Sequence, residues 1–291
     1  MDTVRLHRNA AHLETLMTHI HDGVDLAPVD MRHTAFRHDP HPLLRDLRES
    51  TRVARDVLGI WLVLRHADVS AMLRSSRLSR EVWRSPGYDQ VRPFLADSTL
   101  ERTTHPWMLL NDPPKHTRLR RLVGGAFRPG VVEAPRERIT AVTDELLDDL
   151  EREAAAGGSF DLMPGLAQRL PVRIVCDVPG LMVAASEAGE GGVPGAPAMR
   201  GETPLGDDEL RGNLILMLIA GHETTTNLIG NGVLTLLRHP GELARLRASP
   251  GRDPARMRSA IEEMLRYEGS VTTIPRHTVE PYVIGDVVVP P

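Results

Sequence analysis

Seven consecutive residues, Ala220-Gly221-His222-Glu223-Thr224-Thr225-Thr226, interrupt an apolar run with a glycine, an acid and three threonines. Gly and Thr are poor helix formers, so this is weak design for a buried helix. Gly221 gives up its side chain, which lets another group approach the backbone closely. The threonine hydroxyls can bond back to carbonyls four residues earlier and bend the helix. Two readings stay open: a kink whose hydroxyls satisfy themselves, and a break kept for function. His116 and Arg120 are four apart on one helical face. Such a pair can grip paired carboxylates, with Arg offering a fork. It can equally be a solvent-facing basic stripe. Glu263 and Arg266 are three apart and share a face, as any surface ion pair on a helix would. Arg276, followed by His277, is a further basic signal just before the last apolar stretch.

Helices must position these residues. The longest helix signal runs from Gly206 to Arg238, before His239-Pro240. Asp207, Asp208 and Glu209 load its first turn with negative charge, and Glu209 is spaced for a capping box with Gly206. Leu214 to Ala220 is apolar all round, which predicts burial on every side. Asp112 as N-cap and Pro113 at the first helical position open a helix that ends near Gly124-Gly125. Further helices are predicted from Pro40, over His66 to Leu73, over Val132 to Ala155 closing at Gly157-Gly158, and over Asp253 to Tyr267. Gly59 to Leu64 reads as a strand, and Tyr282 to Val289 as a hairpin turning at Gly285-Asp286, with nothing after it to cover it. The class is mainly α with small β-sheets near both ends. Residues 1–38 form a polar segment, 39–291 one domain, and 185–204 a linker-like stretch rich in Gly, Ala and Pro.

Composition narrows the possibilities. A hydrophobic share of 41% and a charged share of 25% suit a soluble globular protein. With a net charge of −4, nothing argues for nucleic acid or an anionic membrane as the main partner, and neither is expected. Lys115 is the only lysine, so arginine abundance is a habit of this sequence and each Arg needs a positional reason. The single cysteine, Cys176, excludes an internal disulfide and a cysteine-based zinc site. It fits a cytoplasmic setting. No apolar run is long enough for a membrane-spanning helix.

Order and context of the motifs point further than each does alone. Asp112-Pro113-Pro114-Lys115-His116-Thr117-Arg118-Leu119-Arg120-Arg121 resembles the C-helix signature of bacterial cytochromes P450. Ala220 to Thr225 is similar to their oxygen-activation motif on the I helix. Glu262 to Tyr267, followed by Arg276, resembles the K-helix E-x-x-R segment. Trp61 to Leu78 resembles the first sheet and B helix. The resemblance implies a haem-dependent monooxygenase that hydroxylates or epoxidises a small organic substrate, with electrons from ferredoxin and ferredoxin reductase. It makes Glu223 and Thr224 the acid–alcohol pair that delivers protons for cleavage of dioxygen. It makes Ala220 and Gly221 the place where dioxygen and substrate lie against the helix. It gives His116, Arg120 and Arg276 the haem propionates, and makes Glu263 and Arg266 a buried ion pair.

The resemblance also sets expectations where the sequence departs from the family. The iron-ligand loop, Phe-Gly-x-Gly-x-His-x-Cys-x-Gly, would follow Pro291. An incomplete cytochrome P450 fold lacking the axial Cys is therefore expected, with oxygen chemistry lost in this chain. Cys176 is expected to be a small buried hydrophobe rather than a ligand. Only residues 180–205 stand where the family has its F and G helices, so a shortened distal roof is expected. An alternative is a haem-free auxiliary protein that assists a biosynthetic enzyme such as a glycosyltransferase, and a third is a non-functional remnant.

Overall fold

The computed structural model describes residues 28–31, 39–57, 59–85, 88, 98–124, 127, 133, 135–175, 205–248 and 253–291. The expected linker at 185–204 and Cys176 lie outside them. The chain divides into two compact units, Met1–Tyr88 with Arg276–Pro291, and Asp89–Pro275.

The first unit holds every strand among the described residues. β1 (Pro28–Val29) runs parallel to β2 (Val53–Asp56), which pairs antiparallel with β3 (Trp61–Val63), Ala54 opposite Leu62. Side chains alternate across a strand. Ala54 accordingly packs with Val29 and Leu62, and Val53 packs on the other face with Ile284 and Val289. The helices α1 (His41–Ser50) and α2 (His66–Arg74) contribute Leu47 to the first cluster and Met72 to the second. β4 (Leu78–Ser79) pairs with β5 (His277–Thr278), so residues two hundred positions apart share one ladder. β6 (Tyr282–Ile284) and β7 (Val287–Val289) form the expected hairpin, with Gly285 at φ 66° in its turn. Contrary to expectation the hairpin is covered. Ile284 and Val289 are buried against Val53, and only the opposite face is exposed at Val283 and Val288. Its cover precedes it in sequence, which is why reading forward from the hairpin missed it.

The second unit is helical: α3 (Thr99–Thr104), α4 (Lys115–Gly124), α5 (Arg136–Gly157), α6 (Arg169–Val175), α7 (Asp207–Arg238), α8 (Pro240–Arg247) and α9 (Pro254–Tyr267). α4 begins at Lys115, not at Pro113. A residue that precedes proline is driven out of the α region, so Pro113, followed by Pro114, cannot open the helix. α5 begins at Arg136, after Pro135; Val132, the expected start, lies outside the described residues. α5 buries Val142, Leu146 and Leu150 at four-residue spacing. It stops at Gly158, whose φ of 76° is left-handed and whose surroundings are open. Gly158→Ala therefore tests backbone strain with no clash, and should cost about 1 kcal/mol in urea unfolding.

α7 matches its predicted span and, at 32 residues, is about 48 Å long. The Glu209 carboxylate accepts from the Gly206 N–H, as the charge pattern predicted. Burial differs from expectation. Asn213, Leu216 and Met217 are buried, but Leu218, Ile219 and Ala220 are exposed. α4 and the segment before it cover one side of this stretch, through Met108, Val123, Leu214 and Met217. No helix among the described residues is long and apolar enough to cross a membrane.

Candidate functional site

α7 carries the central residues, and close approaches of other elements fix its position. A side chain at Gly212 would sit tightly, 3.1 Å from Pro106 and the Thr103 carbonyl, and one at Gly230 or Gly232 would displace Met163 or Met264 of α9. These glycines are where neighbouring elements meet the helix. Gly221 belongs to the same set, because an added Cβ would lie 2.8 Å from Val175 of α6. The open approach expected at Gly221 is thus taken up by Val175. Ala220 remains exposed and is the small side chain that leaves room beside the helix.

Glu223 is exposed, and Thr224 beside it is half-buried. The Thr224 hydroxyl donates to the Ala220 carbonyl at 2.6 Å. This is the back-bond to the preceding turn that mid-helix threonines favour. It uses the proton of the hydroxyl and leaves the oxygen able to accept. The Thr224 carbonyl in turn accepts from the Ser270 hydroxyl at 2.7 Å, which ties the segment after α9 to this turn. Asn231 donates to the Glu268 carbonyl at 3.3 Å and adds a second tie. Thr226 is different: its hydroxyl is buried and has no hydrogen-bond partner among the described residues. An orphaned buried hydroxyl is costly, whereas an apolar group of the same shape is not. Thr226→Val should raise unfolding free energy by about 1 kcal/mol. A loss of stability would reveal a partner for that hydroxyl.

α4 packs on α7 through Val123 and Met217, and Arg118 forms an ion pair with Glu209. On α4, His116 is half-buried and Arg120 exposed. A residue that sequence reasoning missed locks this corner. Asn213 is fully buried, accepts from the Met108 N–H at 2.9 Å, and donates to the carbonyls of Pro106 and Glu209 at 3.0 and 2.8 Å. Asn111, also buried, donates to the His105 and Trp107 carbonyls at 3.0 and 2.6 Å. The available signal was a lone amide at the head of the apolar run Leu214 to Ala220.

Glu263 and Arg266 on α9 do pair, through two hydrogen bonds of 2.6 and 2.7 Å in a fork. The expectation of burial fails: the side chains are 60% and 68% exposed. Spacing brought the charges together, but no described element covers that face. The Arg266 guanidinium holds the Glu263 carboxyl below its ordinary range by hydrogen bonding to it. A folded-state value below the unfolded one means that the pair stabilises above the ordinary carboxylate range and fades as pH falls through the lowered value. Exposure keeps that contribution small. An E263Q variant should hold the wild-type melting midpoint at neutral pH to within about one degree. Arg276 belongs to the strand-bearing unit, where it is half-buried directly before β5.

A haem-sized group needs apolar surface for its ring, cations for its carboxylates and a ligand for its metal. The described residues match the first two needs. Ile219 and Ala220 are open apolar positions on α7, and His116 and Arg120 stand on α4, which packs on α7 through Val123 and Met217. No group of three or more His, Cys, Asp or Glu able to hold a metal ion exists among them. The only cysteine, Cys176, is outside them.

No protein-family model matches the sequence. The chain is similar to cytochrome P450 107B1 of Saccharopolyspora erythraea, 34% identical over 91% of this chain and 74% of that protein. It is similar to cytochrome P450 monooxygenase PikC of Streptomyces venezuelae, 34% identical over 88% and 69%. Vitamin D(3) 25-hydroxylase of Pseudonocardia autotrophica is 32% identical over 90% and 72%. Among solved structures it resembles CalO2, with a TM-score of 0.74 at 26% identity over 91% of this chain and 75% of that one. Cytochrome P450 CYP109Q5 from Chondromyces apiculatus gives 0.73 at 27% over 91% and 74%. The first alignment spans 313 positions, more than the 291 residues of this chain, so that relative carries residues within the matched region that have no counterpart here.

Proposed function

We propose that this chain, which belongs to the bacterial cytochrome P450 family, serves haem-dependent monooxygenation of a small organic substrate in secondary metabolism, at the turn of α7 from Ala220 to Thr224. The observation that carries the reading is one turn of helix. Ala220 is small and open, Glu223 is an exposed carboxylate, and Thr224 has its hydroxyl anchored on the Ala220 carbonyl. Haem, when bound, supplies the iron-centred activation of dioxygen. The protein's part is to hold reactants and move protons. His116 and Arg120 would hold propionates. Ala220 gives the reactants room against the helix. Glu223 takes protons from solvent, and the Thr224 oxygen, whose own proton is held by the Ala220 carbonyl, accepts a hydrogen bond that keeps the incoming proton donor in line. Ser270 and Asn231 position the relay by fixing the helix on either side of it. Electrons would come from ferredoxin and its reductase in the cytoplasm. The residues missing relative to cytochrome P450 107B1 are assigned to 180–205, where a substrate-side roof would be shorter.

The test is a haem titration of the purified chain, followed by reduction and carbon monoxide. Stoichiometric haem binding is the expected result; a red-shifted, thiolate-type absorption band would overturn the expectation that Cys176 is no ligand. Stoichiometric binding that R120A weakens would place the propionates on α4. No saturable binding would overturn the haem-dependent reading.

A further inference from the structure

α9 forms one wall of a groove of about 520 Å3 that the end of α7 and α8 complete. Arg256, Ser259, Ala260, Glu263, Met264 and Tyr267 line it from α9, at the three- and four-residue spacing of one helical face. The two ends of that face differ. At the N-terminal end the Arg256 guanidinium and the Ser259 hydroxyl, three residues apart, have no partner among the described residues. At the other end Tyr267 stands edge to face with His239, their ring centroids 5.7 Å apart at 86°. The His239 Nδ1–H donates to the Thr235 carbonyl at 2.8 Å, which fixes that ring against α7. Between the ends the floor is apolar. Ala260 is small and half-buried, and the Met264 sulfur lies over Gly232 of α7, where an added Cβ would be 2.8 Å from it. Two carboxylates also line the groove, Glu242 and Glu263, and an arginine already holds each. Arg245 reaches both oxygens of Glu242 at 3.0 Å, and Arg266 forks onto Glu263. Arg256 is therefore the charge in surplus.

We infer that this groove binds a flat aromatic carboxylic acid, as a ligand separate from the substrate. Its carboxylate sits on Arg256 and Ser259, a guanidinium and a hydroxyl both available to donate. Its ring lies over Ala260, against the Met264 thioether and the Tyr267 ring, contacts that favour an aromatic plane over an alkyl chain. From Ser259 to Tyr267 α9 rises about 12 Å, room for two fused rings and a carboxyl group. The groove's volume suits a ligand of that size. Thr235, on the α7 wall, is about 16 Å along the helix from Thr224, so the bound acid does not occupy the relay turn. The inference stands apart from the monooxygenase reading and needs no haem. Glu242 holds back a second cation, Arg245, in a pair whose side chains are 63% and 69% exposed. Freeing Arg245 should therefore strengthen binding.

Isothermal titration of the full chain with 2-naphthoate, 2-naphthalenemethanol and decanoate is the experiment. 2-Naphthoate should bind about tenfold more tightly than either of the others, since the alcohol lacks the charge and decanoate lacks the ring. In R256Q/S259A the naphthoate should fall to the affinity of the alcohol, which itself stays unchanged. E242Q should tighten the naphthoate about threefold and leave the alcohol as it was. A260F fills the floor and should abolish binding of both naphthalene ligands. Arg256, Ser259 and Glu242 are exposed, so their replacement leaves the fold intact, and a circular dichroism spectrum checks this. Because E242Q predicts a gain, it decides the matter even where the double variant loses its fold. Equal binding of 2-naphthoate and the alcohol by the wild type, or an acid preference that survives in R256Q/S259A, overturns the anion end of the inference. Equal binding of 2-naphthoate and decanoate overturns its aromatic class. No change in E242Q places the carboxylate away from Arg245 and overturns the groove as its seat.

Discussion

Replacing Asn213 with leucine should destabilise the helical unit by about 3 kcal/mol, the largest single-residue loss of stability expected outside the apolar core. The amide satisfies the Met108 N–H and the Pro106 carbonyl, two groups of a loop more than a hundred residues away in sequence. Leucine fills a similar volume, so the effect is not a cavity. It strands a donor and an acceptor in a site with no exposure, and each stranded group costs about 1–3 kcal/mol. The third bond, to the Glu209 carbonyl, matters less because that oxygen sits in the helix's own ladder. Urea unfolding should show a lower midpoint with an unchanged slope, the signature of lost stability without a changed denatured state. A loss under about 1 kcal/mol would mean that the loop turns outward and finds water instead. The same variant should loosen α4 from α7, because Met108 and Val123 share the Met217 contact. Weaker haem retention would follow from that loosening.

Asn213 also shows where sequence reading stops. Local rules located most helices, since their signals sit in the residues themselves. The acids at 207–209 open α7, Pro240 limits it, and Gly158 ends α5. The errors came where one local rule met another. Pro113 looked like a good first residue, until Pro114 after it forbade the helical conformation. Partners were harder than elements. The amide of Asn213 is visible as an anomaly, but nothing near it names Pro106 or Met108. The pairing of β4 with β5 joins the two ends of a unit whose middle is elsewhere in the sequence.

Burial was harder still. All-round apolarity at Leu214 to Ala220 says that the helix tolerates being covered, not that a neighbour is there. Leu218 and Ile219 stand open. Glu263 and Arg266 have the same lesson for charge: i, i+3 spacing specified the fork, and only the environment decides whether it is worth a little or a lot. Motif residues fared according to their surroundings too. Ala220, Glu223 and Thr224 fall on one open turn, whereas the space at Gly221 belongs to Val175.

Glu223→Gln should lower product formation by about a hundredfold in the haem-loaded protein supplied with ferredoxin and its reductase, while haem and substrate binding stay as they were. The carboxylate is exposed and takes part in no ion pair among the described residues, so glutamine replaces it without disturbing packing. What is lost is a group that can take a proton from solvent and release it inward. Thr224→Ala should have a similar effect for a different reason. The hydroxyl's own proton is committed to the Ala220 carbonyl, and its oxygen is the part free to accept. Alanine removes that oxygen while removing a back-bond that helices do not need, so folding should hold or improve. Thr224→Ser keeps the hydroxyl and should keep most of the activity. Electron consumption separates relay failure from general damage. If the relay fails, the reductant is still consumed while product falls, because reduction continues and oxygen is released in unproductive forms. If Glu223→Gln retains product formation to within about twofold, proton delivery runs by another route and the acid at 223 is only a solvated side chain. If product and electron consumption fall together in both variants, the turn from Ala220 to Thr224 is a binding surface and not a relay.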